Sequence, residues 1–91
     1  MTNPIICIPR MDANISKDKI FNVFSTLKIG KIIKITENCS YKTPEYKRVA
    51  ISIQWNQTPS ADYIINRLQT KQSVNVIYSA PWFWKCTEYS V

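Results

Sequence analysis

Lys47-Arg48-Val49-Ala50-Ile51-Ser52-Ile53-Gln54-Trp55 is the stretch that decides the fold. Val49, Ile51, Ile53 and Trp55 are large and apolar, and the residues between them, Arg48, Ala50, Ser52 and Gln54, are small or polar. Successive side chains of a strand point to opposite faces, so a period of two reads as a half-buried strand with one face in the core and the other available. Antiparallel sheets that face solvent on one side carry this signature.

Before this strand, Glu37 to Glu45 is polar, contains Pro44 and reads as a loop, and Lys31 to Thr36 reads as another strand. Gly30 is a natural stop for a preceding helix. In that helix Ile20, Val23, Phe24 and Leu27 share one face at i, i+3, i+4 and i+7. Ser16 is its expected N-cap, with Ile15 and Ile20 placed as a hydrophobic staple. Ile5-Ile6-Cys7-Ile8, ended by Pro9, is too short for a helix and reads as a buried first strand. After the central strand, Thr58-Pro59 is an N-cap followed by proline at the first helical position. Ala61, Ile64, Ile65 and Leu68 repeat the helical spacing, and Ser73 to Tyr78 reads as the last strand. Pro81-Trp82-Phe83-Trp84-Lys85 is left over as an aromatic C-terminal extension.

The order is therefore βαββαβ in one domain spanning residues 1–91. It predicts an α+β, ferredoxin-like fold with a four-stranded antiparallel sheet, two helices on one face and the other face open.

Composition narrows the function. Twelve Lys and Arg stand against six Asp and Glu, a net charge of +6. Such a surplus attracts polyanions, although it also serves solubility alone. There is no histidine, which removes the commonest general base and a common metal ligand. Cys7, Cys39 and Cys86 are far apart and in no C-x-x-C spacing, so free thiols in a reducing compartment are expected, with no metal and no cofactor. The first strand carries no carboxylate for a paired-acid metal site. No signal peptide is read at the N-terminus, and no apolar run approaches the roughly 20 residues of a membrane helix. A soluble, intracellular, non-catalytic protein is expected.

The segment Ile8-Pro9-Arg10-Met11-Asp12-Ala13-Asn14-Ile15-Ser16-Lys17-Asp18-Lys19-Ile20 resembles the start of an RNA-recognition motif: a strand, a short turn, then an N-capped helix that opens with polar residues. Gly30 leading into a strand is similar as well, and the likeness of pattern covers nearly the whole chain. I-P-R-M near the start, K-R-V-A-I before the second helix and P-W-F-W-K at the end also resemble small uncharacterised proteins of giant nucleocytoplasmic DNA viruses. That likeness implies a viral protein in host cytoplasm or in the virion. Acylphosphatases share the βαββαβ plan and hold phosphate in a glycine-containing loop with an arginine. Arg10 is in the corresponding region, but Met11 to Ile15 contains no glycine.

The RNA-recognition family stacks bases on aromatic rings of its two central strands. Here those open-face positions fall on Cys7, Arg48 and Ala50, with Tyr46 at the start of the third strand. Arg48 can stack through its guanidinium plane. Trp82 or Trp84 would supply a missing ring, whereas rings packed flat over Cys7, Ala50 and Ile77 would cover the sheet instead. Alternation puts Trp82 and Trp84 on one side and Phe83 on the other, and two of the three rings are expected to serve packing. Arg10, Lys31, Lys34, Lys47, Arg48 and Lys85 are candidate phosphate contacts. Lys17, Lys19 and Lys28, on or beside the first helix, are expected to be solvated only. Tyr41, Lys42 and Tyr46 belong to a loop that in such folds can grip RNA, or is simply mobile.

Two functions follow as expectations. One is binding of single-stranded RNA or DNA, RNA ahead of DNA, through Arg10, Lys34, Tyr46, Lys47, Arg48, Lys85 and the rings of Trp82 and Trp84. The other is a protein-interaction or virion-assembly module that captures a partner or a second copy through Trp82, Phe83 and Trp84.

Overall fold

The structure is a computed structural model that describes residues 3–39 and 45–89. Its elements are β1 (Ile6–Asp12), α1 (Lys17–Thr26), β2 (Gly30–Cys39), β3 (Tyr46–Trp55), α2 (Pro59–Gln69), β4 (Val74–Ser79) and β5 (Trp82–Glu88). The strands form one antiparallel sheet in the order β2-β3-β1-β5-β4.

Both helices begin where their caps predict. Ser16 Oγ accepts from the Lys19 N–H at 3.2 Å, and Thr58 Oγ1 accepts from the Ala61 N–H at 3.3 Å. Each bond satisfies one of the donors that a helix start leaves without a partner. Ile20 and Phe24 of α1 and Ala61 and Leu68 of α2 join one buried cluster with Ile6, Ile8, Val49, Ile51, Ile53, Trp55, Val76, Trp84 and Cys86. Since both helices feed the same core, they lie on the same face of the sheet. Burial in this core pushes the Cys86 thiol up to about 12, so it stays protonated and inert.

The sheet corrects the expectation of four strands. The segment read as the last strand does form β4, but at the sheet edge. The place beside β1 belongs to β5, the aromatic segment read as an extension. Cys7 pairs with Thr87 and Ile6 with Glu88, while Val76 of β4 pairs with Trp84 of β5 across a hairpin that turns at Ala80-Pro81. The physical reason is burial: Trp84 and Cys86 point into the core two residues apart, and β1 offers the backbone partners that such a strand needs.

Two local readings also change. β1 runs past Pro9, because a bulge between Ile8 and Met11 absorbs the residue that cannot donate to the ladder and returns Met11 to the core. Gly30 does not end α1. The left-handed residue after that helix is Lys28, at φ 54, and Gly30 is needed for its closeness to β3. A Cβ on Gly30 would sit 2.4 Å from the Gln54 carbonyl oxygen and 2.9 Å from Trp55 Cα, both backbone atoms of the paired strand.

Candidate functional site

The face away from the helices follows from register. With Val49, Ile51 and Ile53 in the core, β3 presents Tyr46, Arg48, Ala50, Ser52 and Gln54 on the other side. Paired residues share a face, so β2 adds Lys31, Lys34, Thr36 and Asn38, opposite Gln54, Ser52, Ala50 and Arg48. β1 adds Cys7 and Arg10. β5 adds Thr87, Lys85 and Phe83, and β4 adds Asn75 and Ile77 opposite the last two.

Charge is sorted between the two faces. Arg10, Lys31, Lys34, Arg48 and Lys85 lie on the open face. Glu37 pairs with Val49 and Glu88 with Ile6, which puts both carboxylates on the helix side. Glu88 there meets Lys71 at 2.7 Å. Asp18 and Asp62 occupy the first turns of the helices. The remaining acids, Asp12 and Glu45, stand together at one end of the sheet, and Asp12 Oδ1 accepts from the Asn14 N–H at 3.0 Å.

Two arginine–tyrosine pairs are built on the open face. The Arg10 guanidinium lies 4.1 Å from the centroid of the Tyr46 ring, and Arg48 lies 5.2 Å from that of Tyr89. Arg48 Nε also donates to Cys7 Sγ at 3.4 Å. That hydrogen bond is the main cause that raises the Arg48 pKa above its ordinary value, so the guanidinium is held both charged and in place. Cations over tyrosine rings are attracted by about 0.5–1 kcal/mol at exposed sites.

Two of the candidate site residues are elsewhere. Lys47 sits on the helix side, only 5% exposed, with its ammonium on the Glu37 carboxylate and the Ile15 carbonyl. The alternation that sends Val49 inward sends Lys47 inward as well. Trp84 is 3% exposed, stacked at 4.5 Å on Tyr78 and at 6.1 Å on Phe24. It fills the core and cannot reach a ligand on the open face. Trp82, 65% exposed, stands at the hairpin turn, and Phe83, 51% exposed, faces the open side. Ile77 remains 63% exposed, so the aromatic segment does not lie over it as a cover. Arg10, Lys34, Tyr46, Arg48 and Lys85 do share the open face. Tyr41 and Lys42 lie outside the described residues. Lys17, Lys19 and Lys28 are exposed.

Tyr89 was not among the expected site residues. Its signal was present in the sequence: once 82–88 is a strand, Phe83, Lys85, Thr87 and Tyr89 fall on one face by alternation. Among the described residues no group of three or more Cys, Asp or Glu side chains comes together to hold a metal ion, and no helix is long and apolar enough to cross a membrane. Comparison with family models, with curated proteins and with solved structures finds no match for this chain.

Proposed function

We propose that this chain is a non-catalytic module that binds single-stranded nucleic acid, RNA ahead of DNA, across the open face of its sheet. The scaffold is read as ferredoxin-like and of the RNA-recognition type, with β1, β2, β3 and β5 in the four usual strand positions and β4 added at the edge. The observation that carries the function is the sorting of charge: five cations on one sheet face, with the carboxylates on the helix side or at one end. Lys31, Lys34 and Lys85 suit phosphates. Arg48 and Arg10, already held flat against Tyr89 and Tyr46, offer planar groups on which bases can stack. These replace the rings that the family carries on its central strands, where this chain has Cys7, Arg48 and Ala50.

Single-stranded ligands lose affinity with a slope of about 0.7 per phosphate contact in log–log plots against salt. Five contacts would give a slope of about −3.5, so tripling the salt should weaken binding roughly 50-fold. Fluorescence anisotropy with a labelled oligonucleotide at low and moderate salt measures this. Absence of binding at low salt, or binding indifferent to salt, would sink the proposal.

A second reading, protein interaction without nucleic acid, is favoured by the exposed apolar group Ile77, Trp82 and Phe83 at the β4–β5 hairpin. Retention of the protein's fold together with no oligonucleotide binding at low salt is its expected signature.

A further inference from the structure

The sheet has two edges, and they differ in chemistry. β2 carries Lys31, Lys34 and Glu37 and is bent by an irregularity between Ile32 and Lys34. Charges and bulges are the devices that keep an edge strand from pairing with another chain. β4, at the other edge, is Val74-Asn75-Val76-Ile77-Tyr78-Ser79, with no charge and no proline. Its outer backbone N–H and C=O groups have no strand to pair with among the described residues.

We infer that β4 pairs with β4 of a second copy of this chain, antiparallel about a two-fold axis, with Ile77 opposite the partner's Ile77. The choice of a second copy rests on charge and on self-complementarity. Each chain carries +6, so copies repel unless they meet along a neutral surface, and β4 is the uncharged edge. Pairing through β2 would set lysines of one copy against lysines of the other, which is unfavourable for directly opposed like charges. A two-fold axis makes any residue at its centre face itself. Matching the faces of the two sheets requires residues of the same face to be opposite, and Ile77 against itself meets that condition. Phe83 pairs with Ile77 inside each copy. The joint would therefore set Phe83, Ile77, the partner's Ile77 and the partner's Phe83 in one row, sheltering side chains that are exposed in the single chain. The two five-stranded sheets become continuous, and their basic faces lie side by side.

The joined edge is short, so a weak, concentration-dependent dimer is expected rather than a permanent one. This inference is independent of nucleic-acid binding, because Ile77 is outside the proposed contact set and oligonucleotide binding is measured at concentrations where the chain is monomeric. Sedimentation velocity of the full chain over a concentration series should show the 10.6 kDa monomer shifting toward twice that mass. Ile77→Lys and Ile77→Glu, each alone, should stay monomeric, because like charges then face each other across the axis. An equimolar mixture of the two should dimerise again. Circular dichroism should be unchanged in both variants, since Ile77 is mostly exposed. A wild-type chain that stays monomeric throughout, single variants that dimerise like wild type, or a mixture that stays monomeric would overturn the inference.

Discussion

Trp84→Ala should destabilise the chain by about 3–5 kcal/mol, the range for truncating a large buried aromatic side chain. The ring lies between Tyr78 and Phe24 at near-parallel angles of 14° and 7°, and it ties β5 to the helix layer. Small domains are stable by only about 5–15 kcal/mol in total, so the loss would consume much of the margin. Trp82→Ala, two residues away on an exposed position, should change stability by less than about 0.5 kcal/mol. Trp84→Phe should lose much less than the alanine variant. It keeps a ring in the stack and removes an indole N–H that is buried without a hydrogen-bond partner. Urea unfolding of the three variants separates these outcomes, and equal losses at Trp82 and Trp84 would contradict the position of β5.

Lys47→Ala should cost about 3 kcal/mol, near the lower end for breaking a buried ion pair. The lower end applies because the Glu37 side chain keeps a quarter of its exposure, while that of Lys47 keeps 6%. The substitution leaves the Glu37 carboxylate without its cation and the Ile15 carbonyl without its donor. Since Ile15 directly precedes the Ser16 cap, the start of α1 should loosen with it. A double variant, Lys47→Met with Glu37→Leu, removes both charges and should recover most of the loss, since apolar replacement of a buried pair is often neutral or better. Thermal melts of the single and double variants give the comparison. A double variant as unstable as Lys47→Ala would show that the pair contributes more than mutual compensation.

Both residues show where the sequence was legible and where it was not. The alternation around Val49 and Ile51 and the caps at Ser16 and Thr58 are local signals, and the elements they predict are in place. The phase of that same alternation sends Lys47 inward, but residue type argues for solvent, because lysine is rarely buried unless paired. The partner that permits burial, Glu37, comes from β2 and cannot be located by local reading. In β5 the three consecutive aromatics Trp82, Phe83 and Trp84 hide the period of two, since both faces of the strand are apolar there. That concealment turned a central strand into an apparent extension and took Tyr89 out of view. Gly30 was misread for a similar reason: a glycine after a helix suggests a left-handed cap, whereas closeness to the Gln54 carbonyl is a long-range fact.

The most direct test of a binding face is a pair of charge reversals of equal size on opposite sides of the molecule. Arg48→Glu with Lys34→Glu alters the open face, and Lys17→Glu with Lys19→Glu alters the exposed side of α1. Each pair reverses two cations and so lowers the net charge from +6 by four, to +2. Non-specific attraction falls equally in both, so any difference reports position. The open-face pair should bind a single-stranded oligonucleotide at least about tenfold more weakly than the helix-side pair, with a salt slope reduced by about 1.4 for two lost phosphate contacts. Equal weakening by the two pairs, or greater weakening by the helix-side pair, would contradict binding at the open face.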